Sequence, residues 1–200
     1  MARASSRPGA NVDLAAHLAA LPKDATGKGV FFLDVIKRVQ VTAPSVDVTE
    51  LAGLPPRRYL MFGDYPYGDL LRLVVAAAGV MCPKEPLAEG VRLVGHSLYD
   101  ALLEAHIGRV LFGVLGKNFQ LVARMGPRGW KVSMSFGRVE VEELGPGHVR
   151  FHIDEMPAFL DTLMVGIVEG AMRACGVIGG RVEPRMESIA KGVLDVTWTP

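Results

Sequence analysis

The sequence predicts an α+β fold: a helical N-terminal half packed on a four-stranded antiparallel sheet of β-β-α-β-β order. Three observations predict it. Apolar residues recur at steps of three and four from Val12 to Met125. From Trp130 the period changes to two, the spacing at which strand side chains share a face. One more helical stripe then separates two hairpins.

Val12–Leu21 predicts a short helix, with Leu14, Leu18 and Leu21 at helical spacing and Pro22 ending it. Gly29–Val39 predicts a second. Thr42–Arg58 carries Pro44, Pro55 and Pro56 and is mostly loop. Tyr65-Pro66 opens the next helix, since proline at the first helical position lacks only an N–H that would be unpaired there anyway. Its stripe is Leu70, Leu71, Val74, Val75 and Ala78, and Gly79 and Pro83 close it. Pro86–His106 carries Leu87, Val91, Val94, Leu98, Leu102 and Ala105 on one face. Gly108 breaks it from a helix over Arg109–Met125, and Gly126-Pro127-Arg128-Gly129 ends the helical half.

Trp130, Val132, Met134 and Phe136 then alternate with Lys131, Ser133 and Ser135, which predicts a strand. After Gly137 the apolar parity shifts to Val139 and Val141, as a β-bulge would produce. The following strand turns Val149, Phe151 and Ile153 inward and His148, Arg150 and His152 outward. A three-residue loop, Gly145-Pro146-Gly147, predicts the register: Leu144 opposite His148, then Glu142 with Arg150, Glu140 with His152 and Arg138 with Asp154, while Val141 meets Phe151 and Val139 meets Ile153. Each complementary pair favours that register by about 0.2–1 kcal/mol. Pro157 starts a helix to Cys175 with the stripe Phe159, Leu160, Leu163, Met164, Ile167, Ala171 and Ala174, and Gly176 stops it. A last hairpin sets Val182, Pro184 and Met186 against Leu194, Val196 and Trp198, with Arg185 facing Asp195. Pro184 cannot donate to a ladder, which predicts an edge strand.

A chain of 200 residues suits a flexible tail over 1–11 and a single α+β domain over 12–200. Half the residues are apolar, enough for a sizeable core. Lys and Arg (22) balance Asp and Glu (21), which argues against nucleic acid as a partner. The longest apolar runs, such as Leu73–Cys82, are too short for a membrane span, and the N-terminus lacks the apolar core of a signal peptide, so a cytoplasmic location is expected. Cys82 and Cys175 have no Cys or His at ligand spacing; free thiols and no metal site are expected.

No phosphate loop, dinucleotide fingerprint, zinc-protease helix or nucleophile elbow occurs, and a non-enzymatic protein is expected. His148 and His152 flank Arg150 on the charged strand face, His17 is expected at the surface, and His96 has Arg92 and Asp100 at helical spacing as hydrogen-bond partners. His106 follows Tyr99, Leu102 and Leu103 and points between helices: a satisfied boundary histidine, or a haem ligand. Gly90, Gly95, Gly108, Gly113, Gly116, Gly166 and Gly170 lie in or beside helices, where each serves close backbone packing or leaves room for a ligand. Glu104, Asp161 and Glu169 are candidate acids that spacing does not bring together.

Three stretches carry a resemblance. They are Phe62-Gly-Asp-Tyr-Pro-Tyr-Gly-Asp-Leu-Leu-Arg-Leu; Pro86-Leu-Ala-Glu-Gly-Val-Arg-Leu-Val-Gly with Ile107-Gly-Arg-Val-Leu-Phe-Gly; and Phe136-Gly-Arg with Pro157-Ala-Phe-Leu-Asp, Gly166-Ile-Val-Glu-Gly and Trp198. Over Lys28 to Trp198 the chain resembles a paralogous family of unknown function from myxobacteria, which implies no catalytic residues. Its element order is also similar to haem–nitric-oxide-binding domains and to the vinyl-reductase/TRAPP-like ligand-binding superfamily, which implies an apolar interior that takes haem or lipid-like molecules. The haem domains carry Tyr-x-Ser-x-Arg after the ligand histidine, and here the corresponding strand reads Ser133-Met-Ser-Phe-Gly-Arg.

The expected function is a module that holds a small apolar ligand and passes that state to a partner protein. Its pocket is expected between the Pro86–His106 and Pro157–Cys175 helices and the sheet, walled by Phe136, Phe159, Leu163, Ile167 and Trp198. No cofactor is expected unless His106 binds haem. The alternative is a ligand-free scaffold that dimerises or binds a partner through helix faces.

Overall fold

Asp13 starts the first helix by accepting the Ala16 N–H at 3.0 Å, which satisfies one of the amides a helix start leaves unpaired. The computed structural model describes residues 12–104 and 118–199, with the side chains of 101–104 excepted. The tail 1–11, His106, Gly108, Gly113, Gly116 and the start of the Arg109 helix lie outside the described residues.

The elements run α1 (Leu14–Ala20), β1 (Thr26–Lys28), α2 (Gly29–Thr42), α3 (Val48–Leu51), β2 (Asp64–Pro66), α4 (Tyr67–Met81) and α5 (Leu87–Glu104), then α6 (Phe119–Ser133), β3 (Arg138–Gly145), β4 (His148–Asp154), α7 (Leu163–Ala174), β5 (Arg181–Ser188) and β6 (Lys191–Thr197). The predicted α+β class holds, with an antiparallel sheet in the order β3-β4-β6-β5. Its inner face, Val149, Phe151, Ile153, Val182, Leu194 and Val196, is buried. α7 packs against α5 and reaches β5, while α6 lies along β3. A small β1–β2 ladder was not predicted, because strands of three residues are too short to show a period.

Several local expectations are corrected. Trp130–Ser133 is helical, not a strand: α6 runs through Pro127 and Gly129. The indole N–H of Trp130 donates to the Phe136 carbonyl at 2.6 Å, and the Met134 N–H donates to the Trp130 carbonyl at 2.8 Å. Trp130 is half-buried while Val132 is 68% exposed, so apolar residues two apart face different ways, as a helix requires. Asn118 caps this helix through Leu121 N–H at 3.2 Å, so it starts at Phe119 rather than running on from Arg109.

The β3–β4 register agrees with the prediction from Arg138↔Asp154 through Glu142↔Arg150. The turn differs. Gly145 pairs with His148, Leu144 is bulged out of the ladder, and Pro146-Gly147 alone turns the chain. In the last hairpin Val182↔Val196 and Pro184↔Leu194 pair and β5 is an edge, as the proline requires. Arg185 faces Val193, and Glu183 faces Asp195; the Arg185 guanidinium reaches the Asp195 carboxylate on the diagonal. Trp198 lies just past β6.

The last helix begins at Leu163, not Pro157. Phe159 sits at φ 51°, outside the helical region, and its carbonyl accepts the Thr162 and Met164 amides at 3.1 and 3.2 Å. Phe159 and Leu160 are buried as expected, but from a turn that caps the helix.

A candidate ligand cleft and the glycine seam behind it

The expected pocket region is filled where α5 meets α7. A Cβ on Gly95 would collide with the Leu163 carbonyl oxygen, one on Gly166 with the Arg92 carbonyl oxygen, and one on Gly170 would lie 2.6 Å from the His96 carbonyl oxygen. These three glycines let two backbones touch, so they serve packing and leave no gap between the helices. Gly90 likewise abuts Ala78 of α4, a Cβ there lying 3.2 Å from the Ala78 Cβ.

Polar groups frame this seam. Arg92 bonds both Glu89 and Glu169, and His96 Nε2 lies 2.9 Å from Glu169 Oε2. Burial pushes the Glu169 carboxyl up, but the His96 hydrogen bond and the Arg92 guanidinium more than offset it and hold it below its ordinary value. Arg173 bridges to Asp100 at 2.9 Å. The His96 partner is therefore Glu169, not Arg92 or Asp100. A contact between residues this far apart leaves no signal in local spacing. Burial pushes the Asp161 carboxyl up, and the Glu104 side chain lies outside the described residues.

An open cleft of about 530 Å³ lies at the far end of α7. Cys175, Val177 and Ile178 form one wall, Asn118 and Phe119 at the start of α6 a second, and Trp198 the third. The Trp198 amide donates to the Gly147 carbonyl at 2.9 Å, which ties the chain beyond β6 to the β3–β4 turn. That tie places the Trp198 ring edge-on to Phe119, 4.9 Å between centroids. Burial pushes the Cys175 thiol up, so the cleft offers a neutral sulfur rather than a thiolate.

Of the five expected wall residues, Trp198 lines this cleft. Phe136 is buried elsewhere, its ring 4.7 Å from that of Tyr67. Phe159 packs on the His17 imidazole at 4.2 Å, Leu163 is fully buried behind Gly95, and Ile167 is half-buried on α7. Phe119, Val177 and Ile178 were not singled out from sequence; they come together only through the loop after α7.

The histidines are placed as follows. His17 is buried, not exposed, because its ring is sandwiched toward Phe159 while Nδ1 lies 2.8 Å from the Asp13 carbonyl oxygen. His148 and His152 face outward as expected, Nε2 lying 2.6 Å from Asp195 Oδ1 and 3.0 Å from Glu142 Oε2 respectively. None of these four, His96 included, lines the cleft. Arg138 is exposed and spends its guanidinium on Asp154 at 3.2 Å and Glu155 at 3.4 Å. Among the described residues no imidazole lines the cleft and the arginine of the altered signature is engaged at the surface, while the candidate haem ligand His106 lies outside them. Among the described residues no three His, Cys, Asp or Glu converge to hold a metal ion, and no helix is long and apolar enough to cross a membrane.

The fold has relatives among solved structures. The Fe(II) unliganded H-NOX protein from K. algicida is similar at TM-score 0.66 and 10% identity, over 86% of this chain and 97% of that one. The IWP-051-bound H-NOX from Shewanella woodyi in the Fe(II)CO state gives 0.66 and 19%, over 86% and 94%. An oxygen-binding H-NOX domain related to soluble guanylate cyclases gives 0.64 and 13%, over 86% and 95%. At such identities the likeness is one of fold. No curated protein matches the chain. Residues 21–199 match the family described as Protein of unknown function (DUF2378), and with nearly the whole chain covered the chain belongs to that family.

Proposed function

We propose that this chain is a non-enzymatic module that holds a small apolar molecule in the Trp198 cleft and presents the loaded or empty state to a partner protein. The observation that carries the reading is the cleft itself, walled by Trp198, Phe119, Val177 and Ile178 on a fold shared with an oxygen-binding domain. Apolar burial there supplies affinity at roughly 25 cal/mol per Å² before the costs of association. The partner would read the rim, where Ile178 is 89% exposed beside the cleft.

Native mass spectrometry of the purified full chain, with tryptophan emission followed during titration with a long-chain fatty acid, tests this. A bound adduct or a saturable emission change, weakened about tenfold or more in Val177→Asp, supports the reading. A chain that carries nothing and whose emission does not respond overturns it. A haem-binding variant of the reading rests on the fold likeness alone and requires a Soret shift with added haemin that disappears in His106→Ala.

A further inference from the structure

Between α3 and β2 the chain holds three consecutive large apolar side chains in solvent: Leu60 is 59%, Met61 42% and Phe62 63% exposed. The loop that carries them is braced. The Gly29 N–H donates to the Gly63 carbonyl and the Val30 N–H to the Met61 carbonyl, both at 2.9 Å, which satisfies the first turn of α2. The Gly63 N–H returns to the Leu60 carbonyl at 3.0 Å. The Tyr65 hydroxyl accepts the Leu60 N–H at 2.7 Å and donates to the Arg58 carbonyl at 3.3 Å. Tyr59 turns inward and stacks on Phe32 at 4.8 Å. Gly29 permits the approach, since a Cβ there would collide with the Leu60 carbonyl oxygen. So the backbone is held in place while the three apolar side chains are turned outward.

Two arginines stand at the base of this tip. Arg57 lies 3.6 Å from Asp69, and Arg58 is exposed with no acidic partner among the described residues. We infer that the 58–63 loop inserts into the interfacial region of an anionic lipid bilayer, with Leu60, Met61 and Phe62 at the acyl boundary and Arg57 and Arg58 among the headgroups. Two features favour lipid over a protein groove. All three consecutive apolar side chains are exposed together, which suits a fluid apolar medium whose attraction is non-directional. The Leu60 N–H and the Leu60 and Met61 carbonyls are bonded within the protein, which lowers the cost of carrying backbone into a medium without donors or acceptors. Unpaired positive charge then adds attraction for anionic lipid.

Co-sedimentation of the full chain with phosphatidylcholine vesicles and with phosphatidylcholine–phosphatidylserine vesicles tests the inference. The chain is expected to sediment with the anionic vesicles. A Leu60→Ser, Met61→Ser, Phe62→Ser triple variant should lose about tenfold or more in binding with unchanged circular dichroism, because the replaced side chains are exposed and outside the buried core. Arg58→Glu should weaken binding at low salt and reduce its salt dependence. In Phe62→Trp, the added emission should shift to the blue with vesicles. Failure to sediment with either vesicle, equal binding by the triple variant, or an unshifted Phe62→Trp signal overturns the inference and turns attention to a protein ligand for the loop.

Discussion

At Gly166 the space for a side chain is already occupied by the Arg92 carbonyl of the facing helix. Gly166→Ala should therefore force α5 and α7 apart and destabilise the chain by about 2–3 kcal/mol, the cost of overpacking against backbone that cannot rotate away. Gly79 is the internal control. It lies on the exposed side of α4, and a Cβ there meets nothing within 4 Å. Gly79→Ala should stabilise by about 0.5–1 kcal/mol through helix propensity alone. Urea unfolding of the two variants reads both signs. Equal effects would mean that the seam is looser than described.

The strands and helices are the scale at which charge and pattern act. On the outer face of the sheet, Asp195 of β6 gathers His148, Arg150 and Arg185. Burial pushes its carboxyl up, yet the His148 and Arg150 hydrogen bonds more than offset this and hold it below its ordinary value. A carboxyl lowered in the folded state contributes stability that is complete above its unfolded pKa and disappears as pH falls through the folded one. The stability gap between the native chain and Asp195→Asn should thus be widest near neutrality and close below about pH 4. A gap that stays constant down to strong acid would mean the loss is packing, not charge. On α6, Trp130→Phe keeps the ring contacts with Tyr67 and Phe136 but removes the hydrogen bond to the Phe136 carbonyl. It should cost about 1 kcal/mol in thermal or denaturant unfolding. The β3–β4 register was legible because charged and apolar residues alternate on both strands around a glycine-proline turn. The Trp130–Phe136 alternation misled because it straddles a helix end: Trp130 and Val132 lie on α6, which continues through Pro127, while Met134 and Phe136 lie beyond it.

Across the whole molecule, class and order could be read from the change of hydrophobic period, since each element carries its own stripe. The site could not. Of its walls only Trp198 was expected; Phe119 and Val177 are distant in sequence and unremarkable in their own segments. The same holds for the Glu169–His96 contact. The turn at Phe159 left no trace because a large aromatic residue at positive φ contradicts its ordinary preference. Helix glycines had two readings in sequence, and carbonyl oxygens on the opposite helix decided between them for Gly95, Gly166 and Gly170.

Under the proposed function, those three glycines would also set how a signal travels. Two helices in backbone contact have no compressible layer of side chains between them, so they cannot slide by exchanging rotamers. α5 and α7 should shift together, as one stiff beam, when anything binds at the Cys175 end. A partner of the proposed kind would then sense a tilt of that beam at its opposite end, and amide hydrogen exchange should be slowest along its length.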